Sequence, residues 1–203
     1  MSIIIAGIHT NIGKTICAAT ICQALGYDYW KPVQAGDLEN SDSVFIKRCV
    51  TNPRCTVHPE TYRLTIAASP HFSAAEDGVT ISKEKISLPQ SSNNIVVETA
   101  GGIMSPLAAN FLNIDLVQQL NLPVIVVSNN YLGSINHTLL TIDALQKRNI
   151  FIRGIVFSGN KLHATEDFIL QYTKLPLLFS IPYFTAINAA AIDNFVQQTS
   201  IKV

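Results

Sequence analysis

One short stretch near the start of the chain constrains the fold more than any other feature. An apolar run at residues 3–6 leads into GIHTNIGKT, where Gly7 and Gly13 bracket five residues and Lys14 and Thr15 follow. Glycines let backbone N–H groups curl around an anion, and the N-terminus of a following helix adds partial positive charge. Although the spacing is one residue longer than the usual GxxxxGK[ST] motif, the stretch predicts a strand, a phosphate-binding loop and a helix. A glycine turn before an ordinary helix is the alternative.

The same alternation of strand and helix patterns continues along the chain. Apolar runs rich in β-forming residues predict strands at residues 3–6, 27–33, 95–98, 124–128, 152–157 and 177–181. Helical patterns lie between most of them, at residues 14–25, 114–120, 135–147, 164–173 and 187–198. Strands without polar alternation, separated by helices, indicate a parallel sheet covered on both faces. We therefore expect an α/β fold in a single domain over residues 1–203, with an excursion from the sheet within residues 52–88.

Composition excludes several other classes of protein. The chain has 203 residues, of which 48% are hydrophobic and only 14% are charged, so an intrinsically disordered chain is not expected. Its formal net charge is zero and it has no basic run, which argues against nucleic acid as a partner. No apolar stretch is long enough to span a membrane, and the first residues lack the basic start of a signal peptide. The four cysteines lack metal-binding spacing, which favours reduced thiols in the cytoplasm.

Charged side chains stand at or near the ends of predicted strands, the edge at which ligands bind in such sheets. Lys31 ends one strand in KPVQAG, and a lysine buried there needs a partner unless it reaches the surface. Glu98 ends another strand in ETAGG, where a carboxylate suits a metal or phosphate site; a surface turn is the alternative. Asp42, in ENSDS, either caps a helix or contacts Mg²⁺, and capping is the commoner role.

Seven stretches of the sequence carry a family resemblance. They are GIHTNIGKT, KPVQAG, NSDS, SPHFSAAEDG, ETAGG, LPVIVVSNNYLGSINH and IPYF. By their order and spacing, the chain resembles the dethiobiotin synthetase family over nearly its whole length. SPHFSAAEDG and LGSINH are the most specific, because a generic phosphate-loop protein has no need of them. The resemblance implies a P-loop NTPase fold with a mostly parallel central sheet and helices on both faces.

The reaction that the resemblance implies joins ATP, CO₂ and 7,8-diaminononanoate to give dethiobiotin, ADP and phosphate. One substrate amine forms a carbamate, the carbamate is phosphorylated, and the second amine closes the ureido ring. The chain is therefore expected to be an ATP-dependent cyclo-ligase of biotin biosynthesis that uses Mg²⁺. The resemblance also implies a homodimer in which the substrate site is shared between subunits.

The resemblance assigns roles to the residues at matching positions. Lys14, Lys31 and Thr10 are the expected catalytic residues, and Thr15, Asp42 and Glu98 are the expected Mg²⁺ ligands. The expected nucleotide-binding residues are Asn11, Ile12, Gly13, Lys14, Thr15, Ile16, Asp42, Glu98, Thr99, Ala100, Gly101, Ser158, Gly159, Asn160, Pro182 and Tyr183. The expected substrate-binding residues are Thr10, Lys31, Ala35, Gly101, Gly133, Ser134, Ile135 and Asn136.

Four positions depart from the family's pattern. Ala35 stands where a hydroxyl residue is frequent, Thr99 where glycine is usual, and His9 where aspartate is frequent. The asparagine that reads adenine in the family falls on Ser158, and Asn160 lies two residues further on. The preference for a particular nucleotide base is therefore open.

Two other classes of function are alternatives. One is an ATPase switch similar to ParA and MinD, which acts on protein partners and typically carries a signature lysine early in the phosphate loop; residues 8–12 contain no lysine. The other is a non-catalytic protein that keeps a relic phosphate loop. The presence of Lys14, Thr15, Lys31, Asp42 and Glu98 together argues against such decay.

Overall fold

A six-stranded, wholly parallel sheet forms the centre of the computed structural model, which describes residues 1–203. The chain has ten strands: β1 (Ile3–Gly7), β2 (Asp28–Trp30), β3 (Val33–Ala35), β4 (Tyr62–Leu64), β5 (Ile95–Gly102), β6 (Pro106–Ala108), β7 (Phe111–Leu112), β8 (Val124–Asn129), β9 (Ile152–Ser158) and β10 (Leu177–Ile181). The central sheet has the order β10-β9-β8-β1-β5-β2. Strand β1 therefore lies inside the sheet, paired with β5 on one side and β8 on the other. In such sheets, ligand-binding crevices form outside the carboxyl ends of the strands, at the point where the strand order reverses.

Seven helices accompany the sheet. They are α1 (Lys14–Leu25), α2 (Asp42–Cys49), α3 (Pro70–Glu76), α4 (Asn113–Leu120), α5 (Ser134–Lys147), α6 (His163–Thr173) and α7 (Ala189–Gln198), with short 3₁₀ turns at Leu38–Asn40 and Lys83–Lys85. Helices α1, α2 and α7 pack together, and α5 packs against α6. None of the helices is both long and apolar enough to cross a membrane.

The buried strands supply one continuous hydrophobic core. All five residues of β1 and the first five of β8 are buried, so apolar side chains on both faces of the sheet are covered. The 44 buried apolar residues of the chain form a single cluster. Runs without polar alternation are thus confirmed as the interior strands of a parallel sheet, as expected for a P-loop NTPase fold.

The predicted strand at residues 27–33 is wrong in its length, because two separate strands share this segment. Strand β2 pairs with β5 in the central sheet, whereas β3 leaves that sheet and pairs with β4. Pro32 lies between them and has no N–H to give to a ladder. Its carbonyl instead accepts a hydrogen bond from the Tyr62 amide at 3.0 Å. The side sheet of β3 and β4, together with α3, accounts for much of the excursion expected within residues 52–88.

The turn after β3 requires glycine at position 36. Gly36 has φ 72°, and its N–H donates to the carbonyl of Leu64 at 2.8 Å. A Cβ at this position would collide with the backbone of Ala67. The turn therefore brings the segment around Ala67 against the end of β3.

We expect Gly36→Ala to destabilise the chain more than Gly78→Ala. Both glycines have positive φ, at 72° and 64°, but a Cβ at Gly78 meets nothing within 4 Å. Gly78→Ala is the control and should lose about 1 kcal/mol of unfolding free energy through backbone strain alone. Gly36→Ala should lose about 3 kcal/mol, because steric overlap adds to that strain. Urea denaturation measures both, and equal losses would contradict the proposed collision with Ala67.

Candidate active site

The loop between β1 and α1 leaves the start of α1 open to an anion. Asn11 and Gly13 have φ values of 58° and 95°, which bend the backbone ahead of the helix. Gly13 occupies the N-cap position, and no side chain caps this end of α1. The first N–H groups of the helix therefore keep their hydrogen-bonding capacity and their partial positive charge. The local geometry agrees with the predicted phosphate-binding loop.

The side chain of Lys14 folds back across this loop. A Cβ on Gly7 would lie only 2.8 Å from Lys14 Cδ, so glycine at position 7 makes room for the lysine. Lys14 Nζ donates to the carbonyl of His9 at 2.9 Å, and the residue is only 6% exposed. Burial lowers the pKa of Lys14 to about 8, although the nearby charge of Glu98 opposes this shift. An anion entering the loop would favour the charged ammonium.

Oxygen atoms of three residues converge beside the loop. Thr15 Oγ1 lies 3.0 Å from Asp42 Oδ1 and 2.9 Å from Glu98 Oε1. Glu98 is 1% exposed, so the alternative of a surface turn is wrong. Asp42 is the first residue of α2, and Ser41 is the N-cap, with its side chain accepting from the Val44 amide. Asp42 is therefore not the capping residue.

Two side chains complete the surroundings of Glu98. Tyr29, which is fully buried, donates its hydroxyl to Glu98 Oε2 at 2.8 Å. Burial, and next the charge of Glu98, raise the pKa of Tyr29 well above its usual value and keep the phenol protonated. Lys31 Nζ forms an ion pair with Asp42 and lies 3.9 Å from Glu98 Oε1.

Lys31 is buried, so the alternative of a lysine at the surface is wrong. Burial lowers the pKa of Lys31, and the charge of Glu98 opposes that shift. Its partners are both carboxylates, which is what a buried ammonium requires. Lys31, the first residue of KPVQAG, therefore faces the same group of residues as the phosphate-binding loop.

Two adjoining cavities gather most of the predicted site residues. A small pocket of about 90 Å³ is lined by Thr10, Asn11, Ile12, Gly13, Lys14, Thr15, Lys31, Asp42, Glu98 and Gly101. A larger cleft of about 620 Å³ includes Gln34, Ala35 and Ala100 in its wall. Thr10, Asn11, Lys31, Asp42 and Gly101 line both, so the pocket opens into the cleft. The size suits one small organic molecule beside the phosphate-binding loop.

Thr99 and Ile16, which were predicted to bind nucleotide, lie outside both cavities. Thr99 is 2% exposed, and its hydroxyl donates to the carbonyl of Ile5 at 3.2 Å. The threonine side chain thus joins β5 to β1 rather than facing the cleft. Ile16 is the third residue of α1 and is half-buried, so only its backbone N–H belongs to the open helix end.

The remaining predicted nucleotide-binding residues lie at the ends of β9 and β10. Ser158 packs against Gly13, where an added Cβ would collide with the serine hydroxyl. The Asn160 side chain is exposed. The backbone carbonyl of Asn160 accepts a hydrogen bond from Asn130 Nδ2 at 2.9 Å. The N–H of Gly159 donates to the Ile181 carbonyl at 2.9 Å, and Pro182 and Tyr183 follow at the exposed end of β10.

Four of the predicted substrate-binding residues, Gly133, Ser134, Ile135 and Asn136, lie elsewhere. They form the start of α5, with Gly133 at the N-cap (φ 100°) and no side chain capping the helix. Ser134 is the first residue of α5 and is therefore not its N-cap. None of the four lines the pocket or the cleft, so within one chain they are not brought together with Lys14 and Lys31.

Sequence reasoning missed Tyr29 and Gln34. Tyr29 reaches Glu98 because β2 lies beside β5 in a particular register, which no local pattern reveals. Gln34 lies within KPVQAG, and its neighbours Lys31 and Ala35 were assigned. The sequence signal that could have identified Gln34 is a polar side chain within a short apolar strand.

The fold and the pocket together define a P-loop nucleotide-binding protein. A family model described as an AAA domain matches residues 1–191. The ATP-dependent dethiobiotin synthetase BioD of Christiangramia forsetii is 44% identical over 90% of this chain and 89% of its own length. The protein of the same name from Chlamydia abortus is 40% identical over 96% of this chain and 92% of its own. The chain belongs to the dethiobiotin synthetase family, which confirms the resemblance drawn from its motifs.

Solved structures share the fold at much lower identity. A ParA family ATPase from Chlorobium tepidum superposes with a TM-score of 0.62 over 97% of each chain, at 13% identity. The cell division ATPase MinD from Pyrococcus furiosus gives 0.55 over 97% of each chain, at 14% identity. These likenesses show the P-loop architecture alone, so the ParA/MinD alternative has only a distant relation in fold.

Proposed function

We propose that this chain is an ATP-dependent ligase that closes the ureido ring of dethiobiotin. Its substrates are 7,8-diaminononanoate, CO₂ and ATP, and its products are dethiobiotin, ADP and phosphate, in the cytoplasmic synthesis of biotin. Family membership supports the reaction. The observation that carries the proposal is the convergence of Lys14, Lys31, Thr15, Asp42 and Glu98 at a pocket that opens into a cleft of substrate size.

Lys14 and Lys31 can neutralise the negative charge that builds up during this reaction. A substrate amine attacks CO₂ to give a carbamate, and a carbamate oxygen then attacks the γ-phosphorus of ATP as ADP leaves. These steps bring several negative oxygens together, and preorganised cations lower the cost. We assign Lys14 to the phosphoryl oxygens and Lys31 to the carbamate. The second amine then attacks the carbonyl carbon and phosphate departs, closing the ring.

The oxygen donors beside the loop fit Mg²⁺. Protein sites for Mg²⁺ use one or two carboxylates and leave other positions to phosphate oxygens and water. Asp42 and Glu98 provide two carboxylates, and the Thr15 hydroxyl lies within 3.0 Å of an oxygen of each. No group of three or more His, Cys, Asp or Glu side chains is placed to hold a metal ion by itself. Mg²⁺ would supply charge neutralisation at the phosphates.

Lys31 and Asp42 would change partners when substrates bind. In the free protein they form an ion pair, which satisfies both charges. We propose that Asp42 turns to the metal, which leaves the Lys31 ammonium for the carbamate. The pairing with Asp42 thereby compensates the buried Lys31 ammonium until the carbamate binds.

The remaining assignments divide the cleft by ligand. Thr10, Ala35 and Gly101 line it together with Lys31, and we assign them to the diamine. We assign the backbone of residues 11–16, together with Ala100 and Gly101, to the phosphates. Ser158, Gly159, Asn160, Pro182 and Tyr183 are assigned to the base and ribose, with either Ser158 or Asn160 reading the base. The Thr99 side chain is left out of this assignment, because its hydroxyl donates to the Ile5 carbonyl.

We also propose a homodimer with a shared substrate site. The substrate carries a carboxylate at the far end of an apolar chain, and a helix N-terminus can hold such an anion without a cation. The start of α5, at Gly133, Ser134, Ile135 and Asn136, offers that end. Close to it, Leu132 is fully exposed and Leu140 is 58% exposed, as expected of side chains that a second subunit covers.

The central prediction is that ATP turnover depends on both diaminononanoate and bicarbonate. Lys14→Ala and Lys31→Ala should each reduce turnover by about 10²–10³, the range for loss of one donor to transition-state charge. Lys147→Ala is the matched control, because Lys147 is exposed and pairs only with Asp143. A phosphate-release assay measures all three variants. ATP turnover without the diamine, or wild-type rates in either pocket variant, would contradict the proposal.

The second prediction separates metal binding from helix capping. Asp42→Asn should raise the Mg²⁺ concentration for half-maximal activity about tenfold, because a neutral amide is the poorer ligand. Ser41→Ala should cost about 1 kcal/mol of unfolding free energy through loss of the cap, with the Mg²⁺ requirement unchanged. Mg²⁺ titrations of activity and urea denaturation give the two readouts. An unchanged Mg²⁺ requirement in Asp42→Asn would remove this residue from the ligand set.

The third prediction tests the shared site by mixing two inactive variants. Lys14→Ala disables the pocket, and Gly133→Phe blocks the start of α5 with a bulky side chain. After subunit exchange, half of the dimers are hybrids with one wholly native site, so about a quarter of the wild-type activity should return. Exchange is followed with differently tagged chains. Complete exchange with no recovery, or an active enzyme that is monomeric at the assay concentration, would rule out the shared site.

A further inference from the structure

The carboxamide of Gln34 has an unused acceptor in the wall of the cleft. Gln34 is the middle residue of β3 and is only 6% exposed. Its Nε2 donates to the carbonyl of Gly36 at 2.9 Å, whereas its Oε1 is buried and accepts no hydrogen bond. Buried polar atoms nearly always have partners, because an unpaired one loses its hydration without compensation. The free protein therefore keeps an unsatisfied oxygen in this wall.

The position of Gln34 sets it apart from the other unpaired atoms. Four further buried side-chain atoms lack a partner, in Ser43, Glu60, Asn113 and Asn130. None of these four residues lines the cleft or the small pocket, whereas Gln34 does. An unpaired atom beside the cleft has a simple explanation, because a bound molecule can provide its donor.

Other acceptors in this wall, on Thr10, Asn11, Asp37 and Asn40, belong to exposed side chains that water can satisfy, unlike the buried oxygen of Gln34. Asp42 is engaged by Lys31 and Thr15, and Ser105 Oγ accepts from the Gly102 amide at 3.1 Å. Ala35, the next residue after Gln34, contributes only a methyl group. A ligand with N–H groups thus meets the Gln34 oxygen as an acceptor that has no competing donor within the protein.

We propose that Gln34 Oε1 accepts a hydrogen bond from an amine N–H of the substrate. This inference rests on the proposed function, since the diamine provides the donor. The bond between Gln34 Nε2 and Gly36 holds the carboxamide plane, so the oxygen is oriented before the substrate arrives. The role is in substrate binding and differs from the charge neutralisation assigned to Lys14 and Lys31.

Gln34→Met tests the inference, because methionine matches glutamine in length but has no amide oxygen. The KM for diaminononanoate should rise roughly tenfold, while the KM for ATP stays within about twofold, since only the diamine loses a contact. Gln34→Glu keeps an acceptor oxygen but loses the Nε2 donor to Gly36, so its KM for the diamine should lie between the wild-type and Gln34→Met values. The matched control is Gln119→Met, because Gln119 bonds Lys83 and Ile86 carbonyls away from the cleft.

The outcomes separate this inference from the proposed function. If the wild-type chain shows no turnover that depends on the diamine, the proposed function fails. If the wild-type chain is active but the KM for the diamine is unchanged in Gln34→Met, only the role of Gln34 is overturned. Equal rises in the KM values for ATP and the diamine would indicate a general structural role and would also overturn it. Equilibrium dialysis of the diamine against folded variants measures the same contact without turnover.

Discussion

The buried carboxylate of Glu98 is the feature on which the rest of the site depends. An ionised carboxylate removed from water is tolerated only when its oxygens are hydrogen-bonded or paired with charge. Tyr29 satisfies one oxygen and Thr15 the other, at 2.8 and 2.9 Å, while Lys31 lies 3.9 Å away. These partners come from β2, from α1 and from the residue after β2. Satisfying Glu98 therefore fixes the start of α1, and with it the loop that ends β1.

Much of the site was predictable because it depends on strand ends. A parallel sheet brings the carboxyl ends of its strands to one edge, so Lys14, Lys31 and Glu98 were expected to meet once their strands were recognised. Contacts across strands were not predictable, because Tyr29 reaches Glu98 only through the register of β2 on β5. The exit of β3 from the sheet follows from Pro32, whose effect depends on a distant partner strand.

Fold and function diverge clearly within this architecture. The ParA and MinD structures share the fold at 13–14% sequence identity, whereas two dethiobiotin synthetases are 40% and 44% identical to this chain. A shared fold alone does not decide the reaction, because one fold can carry many functions. Several residues of the candidate site lie outside β1, the loop that follows it and α1. Lys31, Asp42 and the cleft with Gln34 and Ala35 come from the segment that follows β2.

The charges of the pocket also limit what can enter it. Lys14 and Lys31 are balanced by Asp42 and Glu98, so the buried group has no formal net charge in the free protein. An entering phosphate chain alone would crowd the two carboxylates, and a cation alone would crowd the two lysines. In a pocket of low dielectric, either imbalance is costly. Under the proposed assignments, a nucleotide that brings its own divalent cation would divide the charges, with its phosphates near Lys14 and the cation near Asp42 and Glu98. The charge balance among these four side chains therefore supports the proposed binding of a nucleotide together with a divalent cation.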